Sequence, residues 1–318
     1  MSTRSPVLFL VFNRPDTTQR VFDAIRAAQP TRLYVAADGA RAGRGGEADA
    51  CTAVRRIATA VDWDCTVKTL FSNENLGCKV AVSNGISWFF ENEEEGIILE
   101  DDCLPSEDFF RFMDSLLERY RSNSKICAIS GTQFDSATPI STDYYYSKYP
   151  LMWGWATWRR SWNGYRKSIL QDEIEEFFSK SAKNQFGLLA RLHLKRQILG
   201  AANGEIDTWD YQWIYQCISR SQLCIRPAKN LVVNLGFGAG ATHTHEQSTP
   251  ASRLTHHVLN TTAMRGPVEE QCDKRLDRLD ERLWMRLYPR SIFALAFPKL
   301  HGLTRHPIRT LSRWLKQP

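Results

Sequence analysis

Three adjacent carboxylates, Glu100-Asp101-Asp102, follow the apolar run Ile97-Ile98-Leu99 and precede Cys103-Leu104-Pro105. Like charges held side by side repel unless a cation or fixed hydrogen-bond donors neutralise them. Oxygen-only ligation suits a hard ion, Mn²⁺ or Mg²⁺, which keeps some of its waters and takes phosphate oxygens as further ligands. Such an ion would neutralise the diphosphate of a sugar nucleotide as it leaves, which is Lewis-acid catalysis. A solvated acidic loop is the competing explanation. Pro105 is placed to start a helix with Glu107 and Asp108 in its first turn, where the macrodipole favours them.

Other residues could complete such a site. Thr208-Trp209-Asp210-Tyr211-Gln212-Trp213 sets Asp210 between two indoles, with Asp207 three residues earlier. A carboxylate packed by apolar rings is desolvated and gains proton affinity, as a general base requires. Alternatively, Asp210 caps a helix whose Trp209 and Trp213 form an i,i+4 core pair. The Gly-rich stretch 237–245 (FGAGATHTH) carries His243 and His245, either of which could ligate a metal or meet a phosphate, or simply be solvated. Arg14 could contact a phosphate or nucleobase, and Asp38 a base or ribose hydroxyl. Asn75, Gly77 and Lys79 could shape the far side of a nucleotide, or be ordinary turn residues. Within Trp153–Trp158 (WGWATW), Trp155 could stack a sugar ring or belong to an aromatic core.

These residues need elements to bring them together. Val7–Phe12, Arg32–Ala37, Cys65–Phe71 and Gly96–Leu99 are apolar runs without alternation, separated by helical patterns, and Cys127–Gly131 reads as a further strand. Such runs form a mostly parallel sheet covered on both faces, in an α/β fold. Ligands of these sheets sit beyond the carboxyl ends of the strands. Asn13-Arg14, Asp38-Gly39, Asn75-Leu76-Gly77 and Glu100-Asp101-Asp102 are therefore expected along one edge.

Composition excludes several classes. Hydrophobic residues at 43% and charged residues at 24% are those of a soluble globular protein, not of a disordered or collagenous chain. The eight cysteines are scattered without a CxxC pair, so reduced thiols are expected rather than a disulfide framework or zinc site. The run Val7–Phe12 is too short to span a membrane and lacks a signal-peptide cleavage site, so neither export nor a transmembrane anchor is expected. Residues 271–318 hold eleven Lys/Arg against four Asp/Glu, whereas the remainder holds 30 against 31. A basic tail on a balanced domain does not suit a nucleic-acid binder.

Taken in order, VLFLVFNR (7–14), DG (38–39), ILEDDCLPSEDFF (98–110), WGWATW, TWDYQW, and CIRP followed by FGAGATH (224–243) resemble the GT-A-fold glycosyltransferases, most closely the N-acetylglucosaminyltransferase I family. The resemblance spans about residues 6–250. It implies that Asp102 ligates Mn²⁺ or Mg²⁺, and that Glu100 and Asp101 contact donor sugar and ribose. It also implies that Arg14 and Asp38 contact the donor nucleotide, that Asp210 is the base, and that His243 follows the FG turn near the metal. The reaction implied is inverting transfer from a UDP-sugar or other nucleotide sugar to a hydroxyl of a glycan or lipid-linked acceptor, in polysaccharide or glycoconjugate assembly. This sequence departs from the family in three places. Asp210 is followed by Tyr211-Gln212 rather than a second acid. Ser83-Asn84-Gly85 stand where the family keeps a donor-site histidine, and the luminal anchor and stem are missing, which points to a cytoplasmic bacterial relative.

The expected organisation is a catalytic domain over 1–250, with a nucleotide-binding half (1–131) and an acceptor-binding half (132–250), then a basic helical extension over 251–318. In that extension Asp277–Leu287 and Pro307–Lys316 are amphipathic at helical spacing. They suit peripheral contact with an anionic membrane, or packing on the catalytic domain or a homodimer partner. Two other functions fit less well. A sugar-phosphate nucleotidyltransferase needs a Gly-rich phosphate loop after the first strand, which Asn13-Arg14-Pro15-Asp16 does not supply. A non-catalytic glycan-binding or membrane-adaptor protein is the other alternative, and it would not release nucleoside diphosphate from a donor with Mn²⁺ as an enzyme should.

Overall fold

In a computed structural model, residues 2–134, 138–237, 254–259, 261 and 263–287 are described. The first half alternates strands and helices: β1 (Val7–Val11), α1 (Pro15–Ala28), β2 (Arg32–Ala37), α2 (Glu47–Ala58), β3 (Thr66–Phe71), α3 (Gly77–Asn92) and β4 (Glu95–Glu100). After the short β5 (Cys103–Pro105) come α4 (Glu107–Arg119), β6 (Ile126–Ser130), β7 (Tyr144–Ser147) and β8 (Trp155–Trp158). Helices α5 (Arg159–Trp162), α6 (Gln171–Lys180), α7 (Leu188–Ala202) and α8 (Asp210–Ser219) follow, then β9 (Leu223–Pro227), β10 (Val232–Asn234) and α9 (Lys274–Leu287).

Eight strands form one sheet in the order β3-β2-β1-β4-β8-β6-β9-β7. The pairs β1–β2, β2–β3, β1–β4 and β6–β9 are parallel, while β8 runs antiparallel between β4 and β6 and β7 runs antiparallel to β9. The expected mostly parallel α/β sheet is present. Alternate residues of β1 explain its unbroken apolar run. Val7, Phe9 and Val11 pack with α1, α2 and α4 on one face, and Leu8 and Leu10 pack with α3 and the indole cluster on the other. A third cluster joins α6, α7 and α8 through Ile174, Phe178, Leu194 and Ile218.

Two elements differ from expectation. WGWATW supplies the antiparallel strand β8, buried throughout, because its inner residues face packed cores on both sides of the sheet. In α9 the expected apolar stripe begins with Leu279 and Leu283, which are only half-buried, whereas Leu276, Asp277 and Asp280 are buried; the side chains of Trp284 and Leu287, also in that stripe, lie outside the described residues. Asp277 accepts from Ser147 Oγ at 2.6 Å, Glu281 accepts from Tyr149 Oη at 2.5 Å, and Asp280 pairs with the fully buried Arg226 at 2.5 Å. Acidic residues thus seat the start of a basic extension. No helix among the described residues is long and apolar enough to cross a membrane. Pro307–Lys316 lies outside the described residues.

Candidate active site

A cavity of about 840 Å³ opens at the carboxyl ends of β1, β2, β3 and β4, and its opposite wall is built from Tyr149–Trp153, α7 and the start of α8. Parallel strands put their polar endings on one edge, and register makes this specific: Leu10 of β1 stands beside Glu100 of β4, and Val11 beside Ala37 of β2. Arg14, Asp38, Asn75, Gly77, Glu100, Asp101, Asp102 and Asp210 all line this cavity.

Arg14 sits in the three-residue link between β1 and α1, and its guanidinium reaches the end of β4. One nitrogen pairs with Asp101 and the other lies 2.8 Å from Asp102 Oδ2. Asp101 is buried and also accepts from Phe12 N at 3.2 Å. Burial pushes the Asp101 carboxyl up to about 6, with Arg14 opposing the shift. Burial pushes Glu100 further, to about 8, reinforced by the charges of Asp102 and Asp101 and opposed by Arg14. Among the described residues the Glu100 carboxyl has no hydrogen-bond partner, its backbone alone being paired with β1. The triplet is therefore divided: Asp101 and Asp102 are held by a guanidinium, and Glu100 faces the cavity. Gly236 passes so close that a Cβ there would lie 2.2 Å from Asp102 Oδ2. Leu235 N donates to the Asp102 carbonyl at 2.7 Å.

Asp210 opens α8 and receives a hydrogen bond from the Thr208 hydroxyl. Its charge is one of those that raise Glu100, so the two carboxyls share an electrostatic environment across the cavity. The indole pair of the hexapeptide is in the core as expected, but Trp209 holds the N-cap position of α8, so Asp210 does not cap the helix. Trp209 and Trp213 are core residues, 3% and 0% exposed, and Asp210 between them turns to the cavity.

Other candidates take different places. Asp38 accepts four hydrogen bonds from its own chain: Gly39 N and Leu76 N on Oδ1, and Asn75 Nδ2 and Gly77 N on Oδ2, at 2.8–3.1 Å. Asn75 spends its amide on Asp38 and the Gly39 carbonyl. Lys79 points away from the cavity and donates to the Ala201 carbonyl at 3.1 Å, at the carboxyl end of α7 where a cation is favoured. Trp155 requires correction. It is 1% exposed and stacked on Trp209 at 5.6 Å, beneath the cavity rather than in it. Within WGWATW the indole that lines the cavity is Trp153, in edge contact with Phe134 and Phe237. His243 and His245 lie outside the described residues.

Sequence reasoning missed the α7 contribution. His193 and Gln197, one helical turn apart, line the cavity, and Gln197 donates to Tyr211 Oη at 3.1 Å. Burial lowers His193 to about 4, which keeps it neutral. Lys195 and Arg196 stand between them in the chain, so no local pattern singles the pair out, and only the packing of α7 turns them to the cavity.

Among the described residues no group of three or more His, Cys, Asp or Glu is placed to hold an ion by itself. The donor set nevertheless fits a hard cation that takes one or two carboxylates and completes its shell with water and substrate phosphate. Three carboxyls face a single guanidinium, and the least compensated, Glu100, points into the cavity.

No family model matches the chain, and no curated protein matches it. Among solved structures, UDP-glucose pyrophosphorylase complexed with UDP-glucose is 12% identical with a TM-score of 0.34, the match covering 70% of this chain and 90% of that one. An apo structure of UDP-glucose pyrophosphorylase is 10% identical with a TM-score of 0.32 over the same shares. Likeness at this level carries no argument about ligand or reaction.

Proposed function

We propose that the protein is a metal-dependent inverting glycosyltransferase that uses a nucleoside diphosphate sugar, UDP-linked in the simplest case. One observation carries this reading: Glu100-Asp101-Asp102 and Asp210 face a single cavity from opposite walls, at the edge where parallel sheets bind ligands. In this reading residues 1–131 hold the nucleotide and 132–250 the acceptor. Arg14 would meet phosphate oxygens, which match a guanidinium fork, once the charge of Asp102 is taken over by the metal. Asp102 would hold Mn²⁺ or Mg²⁺, with His243 a further candidate ligand; bound there, the ion supplies charge neutralisation to the departing diphosphate. Asp210 takes the proton of the acceptor hydroxyl as that oxygen attacks the anomeric carbon from the face opposite the leaving group. Neutral His193, Gln197 and Trp153 offer the acceptor polar contacts and a stacking edge. The acceptor is a glycan or lipid-linked glycan of surface polysaccharide or glycoconjugate assembly, handled in the cytoplasm.

The link Phe12-Asn13-Arg14 disfavours a nucleotidyltransferase. With β1 ending at Val11 and α1 starting at Pro15, there is no room for a Gly-rich phosphate loop. The test is thermal shift with UDP, GDP, CDP and dTDP, each with and without Mn²⁺, followed by assay of nucleotide release from the matching nucleotide sugar. Stabilisation by a diphosphate only with metal, and slow release of the diphosphate, are expected. Formation of nucleoside triphosphate from the nucleotide sugar and pyrophosphate would instead make it a nucleotidyltransferase. Absence of both nucleotide binding and turnover would leave only a binding protein.

A further inference from the structure

Helix α3 begins with Gly77, Cys78 and Lys79, and the first backbone N–H groups of a helix have no partner within it. Here two carboxylates share them. Asp38, at the end of β2, accepts from Leu76 N and Gly77 N. Asp207, from the α7–α8 connection 129 residues away, accepts from Cys78 N at 3.0 Å and Lys79 N at 3.1 Å. Gly77 makes this approach feasible. Its φ is +79°, and a Cβ there would lie 2.9 Å from Asp207 Oδ2. A second tie crosses the same gap, because Lys79 Nζ donates to the Ala201 carbonyl at the end of α7. The first turn of α3 is therefore clamped between the nucleotide edge of the sheet and the segment that carries Asp210.

We infer that Asp207 is a positioning residue, whose grip on the start of α3 sets Asp210 at its working distance from the donor; this rests on the glycosyltransferase reading above. Only Thr208 and Trp209 separate the two acids. Trp209 is locked against Trp155, and the Thr208 hydroxyl is committed to Asp210, so the connection has little slack. Asp207 itself is spent on two backbone donors and is not the proton acceptor. Because its carboxylate occupies the α3 N-terminus, that helix end is closed to the donor diphosphate, which falls instead to the Arg14 side.

The experiment follows UDP release from UDP-glucose and from UDP-N-acetylglucosamine with Mn²⁺, water serving as acceptor, alongside hydrogen exchange of residues 76–82. Asp207→Ala is expected to lower kcat by about 10–100-fold, the loss produced by misplacing a catalytic group by about 1 Å, while KM for the donor stays within about twofold and exchange at 76–82 quickens. Asp207→Asn, whose amide oxygen still accepts, is expected to recover part of kcat and to keep the acidic limb of the wild-type pH profile. Wild-type kcat in Asp207→Ala overturns the inference, even if exchange quickens. An Asp207→Asn variant that is as inactive as Asp210→Asn, with the acidic limb gone, also overturns it and makes Asp207 the base. If the wild-type protein releases no nucleoside diphosphate from UDP-, GDP-, CDP- or dTDP-sugars, the underlying reading falls, and the inference with it.

Discussion

Arg14 and Glu100 define the site's electrostatics between them. One guanidinium compensates two of three neighbouring carboxyls, and the third is raised to about 8. A carboxyl whose folded value exceeds its unfolded value favours the protonated form in the native state. Its contribution to stability is complete below the unfolded value and is lost as pH rises through the folded one. The metal-free protein is thus expected to lose several degrees of Tm between pH 5 and pH 9. Glu100→Gln should flatten that dependence, and Mn²⁺ with UDP should restore Tm at the alkaline end; differential scanning fluorimetry reads all three. On the opposite wall, Asp210→Asn keeps shape and removes the proposed base, so turnover should fall by about 10²–10⁴-fold. Nucleotide binding, measured by calorimetry, should be unchanged. The acid motif was legible in sequence because three carboxyls after a buried strand are hard to explain otherwise. That Arg14 would be their counter-ion was not, because the two lie 87 and 88 residues apart.

At the scale of elements, strand endings were read well and the second half less well. Parallel strands announce themselves by continuous apolar runs. The antiparallel β8 hid inside WGWATW, where four buried residues look the same in a strand as in an aromatic cluster. Helix α9 is the sharper case, since its buried face is partly acidic and hydrophobic periodicity cannot foresee it. Arg226 is fully buried, with Nε on the Thr132 carbonyl and Nη1 on Asp280. Removing the acid strands that cation, so Asp280→Ala should cost about 3–5 kcal/mol in urea unfolding. The cost should be much smaller for Glu281→Ala, whose partner Tyr149 is neutral.

For the whole molecule, charge divides along the chain. Residues 288–318 carry six Lys/Arg and no Asp/Glu, following a helix that is seated by its acids. The 318-residue chain is expected to sediment with vesicles containing anionic lipid, and less so with neutral ones. Truncation after Leu287 should remove the difference while leaving UDP release intact. Equal sedimentation of both forms would assign the tail another role.

The sequence by itself determined the α/β sheet, the edge on which polar endings gather, and the acidic triplet as its centre, because each is written in local hydrophobic pattern and residue type. Tertiary structure alone decided which acids are compensated and which face the cavity. It also buried Trp155 while Trp153 lines the wall, and placed Asp207 on the start of α3 beside Asp210. Those outcomes depend on contacts between residues far apart in the chain, and on which face of an element meets a neighbour. Glu100-Asp101-Asp102 could be found by reading along the chain, but the guanidinium that divides it comes from another strand end, brought close only by the fold.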